Sequence, residues 1–342
     1  LVGSEMCIRD RVNGLRITSC ALGECLDAVV ERSGWNEFRA GRVDASPHAD
    51  RAIASNGHVQ DGSEAKEKNT SPSTIQRGMG IAASSYICGA GKPIYWNDLP
   101  HSAVQIRLDR GGGVTVYCGA TDIGQGSTSV LAYIVAEELG IEPGHIHLET
   151  ADTTLTPVDL GSYSSRVTFM AGNAAIAAAR KLKEQLFEVV SERLHIPTEG
   201  LQVADSLIYD EEDPGVALPF ALAVQLAEAR YGALVASGSY APPEDIHGDY
   251  KGAGVGPSPA YSYSACVAQV AVDVETGEVV VEKLWMAHDV GQSINPLLVA
   301  GQVEGGAYMG YGEAMMEQQV FRKRLHKIPS LLDYKLPTTL DT

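Results

Sequence analysis

The stretch TPVDLGSYSSRVTFMAGN, residues 156–173, gathers Ser162, Ser164, Ser165 and Thr168 around Arg166, just ahead of an alanine-rich segment. Hydroxyls can donate to or accept from oxygen ligands, and a guanidinium offers a planar fork that matches phosphate. The dipole of a helix beginning near Gly172 adds attraction for an anion. Together these groups point to a phosphate or pyrophosphate. The plainer alternative is that the serines pair with their own backbone, as in most serine-rich turns.

A second group lies in TDIGQGSTSVLAYIVAEELG, residues 121–140. Gly124 and Gly126 allow a ligand to approach the backbone, Gln125 offers both a donor and an acceptor, and Ser127 is placed to cap the following helix. Unpaired N–H groups at that helix start would favour an anion. An ordinary strand-to-helix turn explains the same residues. The third group, HDVGQSINPLLVAGQVEGGAYMGYG at 288–312, turns at Asn295-Pro296 and continues into a helix so rich in glycine and alanine that something is expected to press on its backbone. Gln302 is a long polar side chain early in that helix. His288 beside Asp289 has the types of an acid–base pair, but at a strand end the structural reading is preferred.

Elements to position these groups are visible in the periodicity. Val104, Ile106 and Leu108 alternate, Gly111-Gly112-Gly113 turns, and Val114, Val116 and Cys118 return, which predicts a hairpin. A later hairpin is predicted from Val267, Val270, Val272 and Val274, a Glu275-Thr276-Gly277 turn, and Val279, Val281 and Leu284. Helices are predicted over 127–138, 174–194 and about 299–316, with an earlier amphipathic face of Leu22, Cys25, Leu26, Val29 and Val30. Strands and helices in separate runs predict an α+β fold.

The 342 residues are 44% hydrophobic, enough for two domains or subdomains. A formal net charge of -17 opposes binding to a nucleic-acid backbone or an anionic membrane, so any phosphate must be held by a local site. Six cysteines without a C-x-x-C pair point to reduced thiols rather than zinc or a disulfide framework. No apolar run approaches a bilayer span, and a cytoplasmic protein is expected. Residues 1–11, LVGSEMCIRDR, resemble a translated adapter and are set apart as foreign to the domain. Residues 12–75 are read as the end of one cofactor-binding half plus a polar linker. Residues 76–342 are read as a second cofactor-binding subdomain, and the chain as an internal piece of a longer protein.

The segments GATDIGQGS, TPVDLGSYSSRVTFMAGNA, YSYSACVAQVAVD, DVGQSINPLLVAGQVEGGAYMGYGEAMMEQ and SLLDYKLPT, in this order, resemble the molybdenum-cofactor subunit of the xanthine oxidase family of molybdenum hydroxylases. ICGAGKPIYWNDLPHS, KGAGVGPSPAYSYSACVA and HKIPSLLDYK are similar to the 4-hydroxybenzoyl-CoA reductase branch of that family. The resemblance implies a pterin contacted by Gly124, Gln125, Gly126 and Gln302, with the cofactor's phosphates held by Ser162, Tyr163, Ser164, Ser165 and Arg166. It further implies molybdopterin cytosine dinucleotide, no protein ligand to molybdenum, and partner subunits carrying iron-sulfur clusters and FAD, assembled as a dimer of heterotrimers. By this resemblance the activity is reductive removal of the hydroxyl of 4-hydroxybenzoyl-CoA, an aromatic acyl-CoA. The alternative is water-derived hydroxylation of an aromatic heterocycle, purine or aldehyde, and for the isolated piece a non-catalytic cofactor-binding or assembly module. The family's arginine-bearing motif and its catalytic glutamate are not found, and the glutamate is expected beyond Thr342. Gln125, 162–166 and Gln302 are expected to line one cleft.

Overall fold

The computed structural model describes residues 17–41, 74–89, 99–243, 246 and 258–341; the adapter-like start and nearly all of the polar linker lie outside them. In chain order the first elements are α1 (Leu22–Ser33), α2 (Trp35–Arg39), β1 (Ile75–Ile87), β2 (Ser102–Leu108), β3 (Val114–Cys118) and α3 (Ser127–Leu139). There follow β4 (Ile146–Thr150), α4 (Gly172–Leu194), β5 (Leu201–Ala204), β6 (Leu207–Asp210), β7 (Ala217–Pro219), α5 (Phe220–Tyr231) and β8 (Val235–Tyr240). The last are β9 (Tyr261–Asp273), β10 (Val279–Asp289) and α6 (Pro296–Met315), then two short strands and one further helical turn. The fold is α+β.

The described residues form two compact units, neither of them contiguous in sequence. One unit takes the described parts of Ile17–Tyr86 together with Tyr261–Gly291, and the other takes Ile87–Ala260 with Gln292–Thr342. The physical reason is strand pairing: β9 lies between β1 and β10 in one sheet, so the late hairpin belongs with the early segment. In this first unit α1 buries Cys25 and Val29 against Ala265 and Val267 of β9. Gly34 closes the helix in the left-handed conformation, and the polar tract then begins with a short helix rather than a loop. The alternation predicted for the hairpin changes phase. Val267 faces the helix, Val270 pairs with Val281 and Val272 with Val279, and a register shift falls between Val281 and Lys283. Asp289 accepts from the Ala21 and Gly291 backbone N–H groups, at 3.2 and 3.1 Å, which is a structural role as preferred above.

The second unit is built on a four-stranded sheet in the order β4-β3-β2-β8, antiparallel except for the β3–β4 pair. Each expected inward residue of the β2–β3 hairpin, Val104, Ile106, Leu108, Val114, Val116 and Cys118, is buried. Helices α3, α4 and α5 cover that row with Leu131, Val135, Leu139, Leu182, Leu186 and Val224. The alanines opening α4 have a geometric cause. A Cβ on Gly238 of β8 would stand 2.1 Å from the Ala174 carbonyl oxygen and 2.5 Å from the Ala178 nitrogen, so helix and strand backbones touch. Larger residues in the first turns of α4 would hold the two apart.

This contact yields a test. Gly238→Ala forces backbone against backbone, with no side chain able to rotate away, and should destabilise the protein by roughly 2 kcal/mol or more. Denaturant unfolding of the two forms measures it; equal midpoints would contradict the contact.

Candidate functional site

Three loops of the second unit carry the residues singled out above. The first, 119–126, leaves β3 and enters α3. Its aspartate, Asp122, accepts from the N–H groups of Gly124, Gly126 and Thr128 at 2.9, 3.2 and 3.2 Å and from the Thr128 hydroxyl at 3.0 Å. Burial alone would raise this carboxyl's pKa, but those four bonds outweigh it and hold it below the ordinary carboxylate range. The anion at the start of α3 is thus the protein's own. Ser127, expected as the cap, makes no side-chain capping bond; its hydroxyl instead lies 3.1 Å from the amide nitrogen of Gln125.

Gln125 is also turned inward on its own loop. Its side-chain oxygen accepts from the Ile123 N–H at 2.6 Å, and its amide also donates to the Thr121 carbonyl at 3.2 Å. Gly124 and Gly126 have φ of 102° and 79°, values that glycine adopts without strain. Gly126 is constrained further, because a Cβ there would come within 2.6 Å of Leu298 near the start of α6.

The second loop, 156–166, rests on the first. A Cβ on Gly119 would lie 2.4 Å from the Pro157 carbonyl oxygen, so this loop crosses directly over the end of β3. Ser162 clamps the two together: its hydroxyl donates to the Thr121 carbonyl at 2.5 Å and accepts from the Thr121 N–H at 3.1 Å. Ser164 and Ser165 follow in consecutive left-handed conformations, φ 51° and 50°. Gly89 donates its N–H to the Ser164 carbonyl at 2.9 Å. The hydroxyls of Ser164 and Ser165 have no protein partner among the described residues, and Ser165 is exposed. One turn of π-helix, Val167–Ala171, then leads into α4, so the helix begins earlier and less regularly than its alanine pattern predicts.

Arg166 departs from its expected role as a phosphate fork. Its side chain and that of Asp159 are both 0% exposed, and they pair at 2.6 Å. The same terminal nitrogen donates to the Gly161 carbonyl at 2.7 Å, and the other donates to the His101 carbonyl at 2.5 Å and the Ser102 hydroxyl at 2.7 Å. Ser102 in turn donates to Asp159 at 2.6 Å. The Tyr163 ring lies 5.8 Å from the guanidinium carbon. With four bonds to protein acceptors and no exposure, Arg166 does not present its fork to a ligand. Asp159 and Asp122, which hold the two loops in place, are residues that the sequence reading passed over. An aspartate two residues before a glycine, as in DIG and DLG, was the available signal, because such a side chain folds back on the turn backbone.

His101 lies buried beside this pair, and neither ring nitrogen has a hydrogen-bond partner among the described residues. Burial, then the Arg166 charge, lowers its pKa, so the imidazole is neutral near pH 7. Cys118, also buried, has a thiol pKa pushed up to about 11, with burial the leading cause and the nearby Asp159 charge adding to it.

The third loop starts α6. Asn295 accepts from the Leu298 N–H at 3.1 Å, with Pro296 in the first turn, as the Asn-Pro signal predicts. Gln302, four residues beyond Leu298, shares its helix face and is exposed. The structure therefore joins the 121–126 and 159–166 loops directly and brings the Leu298 face of α6 against Gly126. The backbone pressure expected at Gly305, Gly306 and Gly310 is not made by the described residues, since a Cβ at each would meet nothing within 4 Å.

Residues 53–342 match the molybdopterin cofactor-binding domain family. The chain belongs to that family. It is 28% identical over 337 residues to the xanthine dehydrogenase molybdenum-binding subunit of Escherichia coli O157:H7, covering 96% of this chain and 39% of that protein. It is 32% identical over 235 residues to the 6-hydroxypseudooxynicotine dehydrogenase complex subunit gamma of Paenarthrobacter nicotinovorans, covering 68% of this chain and 28% of the relative. Quinoline 2-oxidoreductase from Pseudomonas putida 86 shares the fold, with a TM-score of 0.78 at 21% identity over 99% of this chain and 40% of that one. The chain thus spans about two fifths, 39%, of the length of the xanthine dehydrogenase subunit it matches. Among the described residues no group of three or more His, Cys, Asp and Glu could hold a metal ion, and no helix is long and apolar enough to cross a membrane.

Asp122 provides the test of the first loop. Asp122→Ala leaves three N–H groups without an acceptor and should cost about 1–2 kcal/mol at neutral pH. Because the folded carboxyl titrates below its unfolded value, its contribution is present above the ordinary carboxylate pKa and is lost as pH falls through the depressed one. Unfolding free energies of the two forms should therefore converge on acidification; identical stability at pH 7 would refute the assignment.

Proposed function

We propose that the chain is the cofactor-gripping part of a molybdenum-dependent oxidoreductase of the xanthine dehydrogenase type, holding molybdopterin cytosine dinucleotide. The observation that carries the reading is the direct joining of the 121–126 and 159–166 loops through Ser162 and Thr121, next to the α6 start at Gly126. The residues fit a pterin with a phosphate tail through neutral donors: Ser164 and Ser165 offer hydroxyls that no described residue uses, and the exposed Gln302 offers an amide. Such a cofactor, when bound, would supply the metal and the two-electron redox chemistry. Residues of this chain would hold and orient it. Gly124, where a Cβ would meet nothing within 4 Å, leaves room for a flat ring close to the backbone, and Gln125 braces the loop that the ring would lie against.

Hydroxylation of an aromatic heterocycle, purine or aldehyde with oxygen from water is the reaction we favour for the full-length protein. The relatives' names, a xanthine dehydrogenase subunit and a 6-hydroxypseudooxynicotine dehydrogenase subunit, support it over the reductive dehydroxylation of 4-hydroxybenzoyl-CoA. Partner subunits with iron-sulfur clusters and FAD would carry electrons away; the words "subunit" and "complex" in those names support a multi-subunit assembly.

Full-length protein made in a host that assembles the cofactor should contain molybdenum and release a cytidine nucleotide on acid hydrolysis, in equal amounts. Absence of both would overturn the reading. Turnover of N-heterocycles or aldehydes with an electron-acceptor dye, without turnover of 4-hydroxybenzoyl-CoA under a strong reductant, is the expected substrate pattern; the reverse pattern would restore the reductive reading.

A further inference from the structure

The serine turn adopts a conformation that L-residues resist. Ser164 and Ser165 are consecutive left-handed residues, costly for L-residues, at the centre of a turn closed by the Arg166 N–H to the Tyr163 carbonyl at 3.3 Å, and the chain is held on both sides of them. Upstream, the Ser162 hydroxyl is pinned to Thr121. Downstream, the next residue is Arg166, whose side chain plunges into the protein and binds four acceptors drawn from the start of β2 and from the loop itself. The Met170 N–H also bonds the Arg166 carbonyl at 2.7 Å, which ties the π-turn to the same residue. The guanidinium is thus held on the buried side, while the hydroxyls of Ser164 and Ser165, the two residues just before it, have no partner among the described residues.

We infer that Arg166 and Asp159 are positioning residues: the buried pair holds the Ser164–Ser165 turn in its left-handed form, and the turn, not the guanidinium, contacts the anion. The inference rests on the cofactor reading above and deepens it by specifying that the phosphates meet neutral donors. Charge bookkeeping around the pair agrees. Around the pair stand His101, whose pKa burial lowers, Cys118, whose thiol is pushed up to about 11, and the Tyr163 ring, 5.8 Å from the guanidinium carbon, so among the described residues the Arg166 charge is matched by Asp159.

The two possible roles of Arg166 predict opposite signs for one substitution. If Arg166 bound phosphate directly, Asp159 would compete with that phosphate, and Asp159→Asn would strengthen anion binding. If the pair positions the turn, the same change loosens it and weakens binding. Full-length protein purified from a host that cannot make the cofactor allows the comparison, with cytidine 5′-diphosphate and inorganic pyrophosphate as probes in calorimetry. Amide hydrogen exchange over 160–167 is measured on the same samples without ligand. Asp159→Asn should bind both probes at least roughly tenfold more weakly, with faster exchange across the turn. Arg166→Lys, which keeps the charge but cannot reach acceptors on both sides, should likewise weaken probe binding and speed exchange across the turn. Ser102→Ala removes one acceptor of the network and should shift both in the same direction by less; it decides the matter if the other variants do not fold.

Unchanged or tighter probe binding by Asp159→Asn, or unchanged exchange across 160–167 in every variant, would overturn the inference. Wild-type protein that binds neither probe would count against the cofactor reading instead, and the exchange comparison would still decide whether the pair holds the turn.

Discussion

A guanidinium and a carboxylate with no solvent exposure are costly to bury, each losing several kcal/mol of hydration. Arg166 and Asp159 are tolerated because both terminal guanidinium nitrogens and both carboxylate oxygens are bonded, although the buried Arg166 Nε–H has no partner among the described residues. Asp159 accepts from Arg166, Ser102 and Gly161, and Arg166 donates to Asp159, Gly161, His101 and Ser102. Such a pair adds less to net stability than to specificity, because any displaced arrangement forfeits several charged hydrogen bonds together. Its partners come from the beginning of β2, from the 159–161 loop and from the residue that opens the helical region. One interaction thereby fixes three backbone segments whose positions the site needs.

Charge at the site follows from the same pairing. The chain as a whole carries a formal net charge of -17, an unpromising field for a ligand with phosphates. Around the serine turn the field is locally balanced, since Arg166 is matched by Asp159 and His101 is uncharged. At the other loop the dipole of α3 is already occupied by Asp122. On the proposed reading, affinity for an anion would come from oriented hydroxyls and backbone dipoles fixed before the ligand arrives, which reduces the ordering cost of binding. Preorganisation would then take the place of net positive charge.

Much of the second unit was legible in the sequence. The alternation of Val104, Ile106, Leu108 and Val114, Val116, Cys118 marked a hairpin buried on one face. Asn295-Pro296 marked the start of α6. These signals are local, governed by side-chain period or by a single residue's backbone preference. The domain division was not legible, because β9 pairs with β1 across nearly two hundred intervening residues, and periodicity carries no information about which strands become neighbours. The roles of Gln125, Ser127 and Asp122 were redistributed for a related reason. Each can serve as cap, brace or ligand group, and the choice depends on which N–H groups the folded loop presents.

Residue types alone determined the inventory of this protein: glycines where a turn needs positive φ, hydroxyls gathered before a helix, an α+β sequence of strands and helices, and the motifs that mark a molybdopterin-binding family. Tertiary structure decided the direction in which each group points. An arginine among serines has the same composition whether it reaches out to a phosphate or inward to an aspartate seven residues earlier. What separates the two outcomes is the position of His101 and Ser102, more than sixty residues away in sequence, whose carbonyl and hydroxyl accept the guanidinium's second nitrogen. A long-range set of acceptors, which no local pattern encodes, turned a candidate ligand into the support beneath the turn.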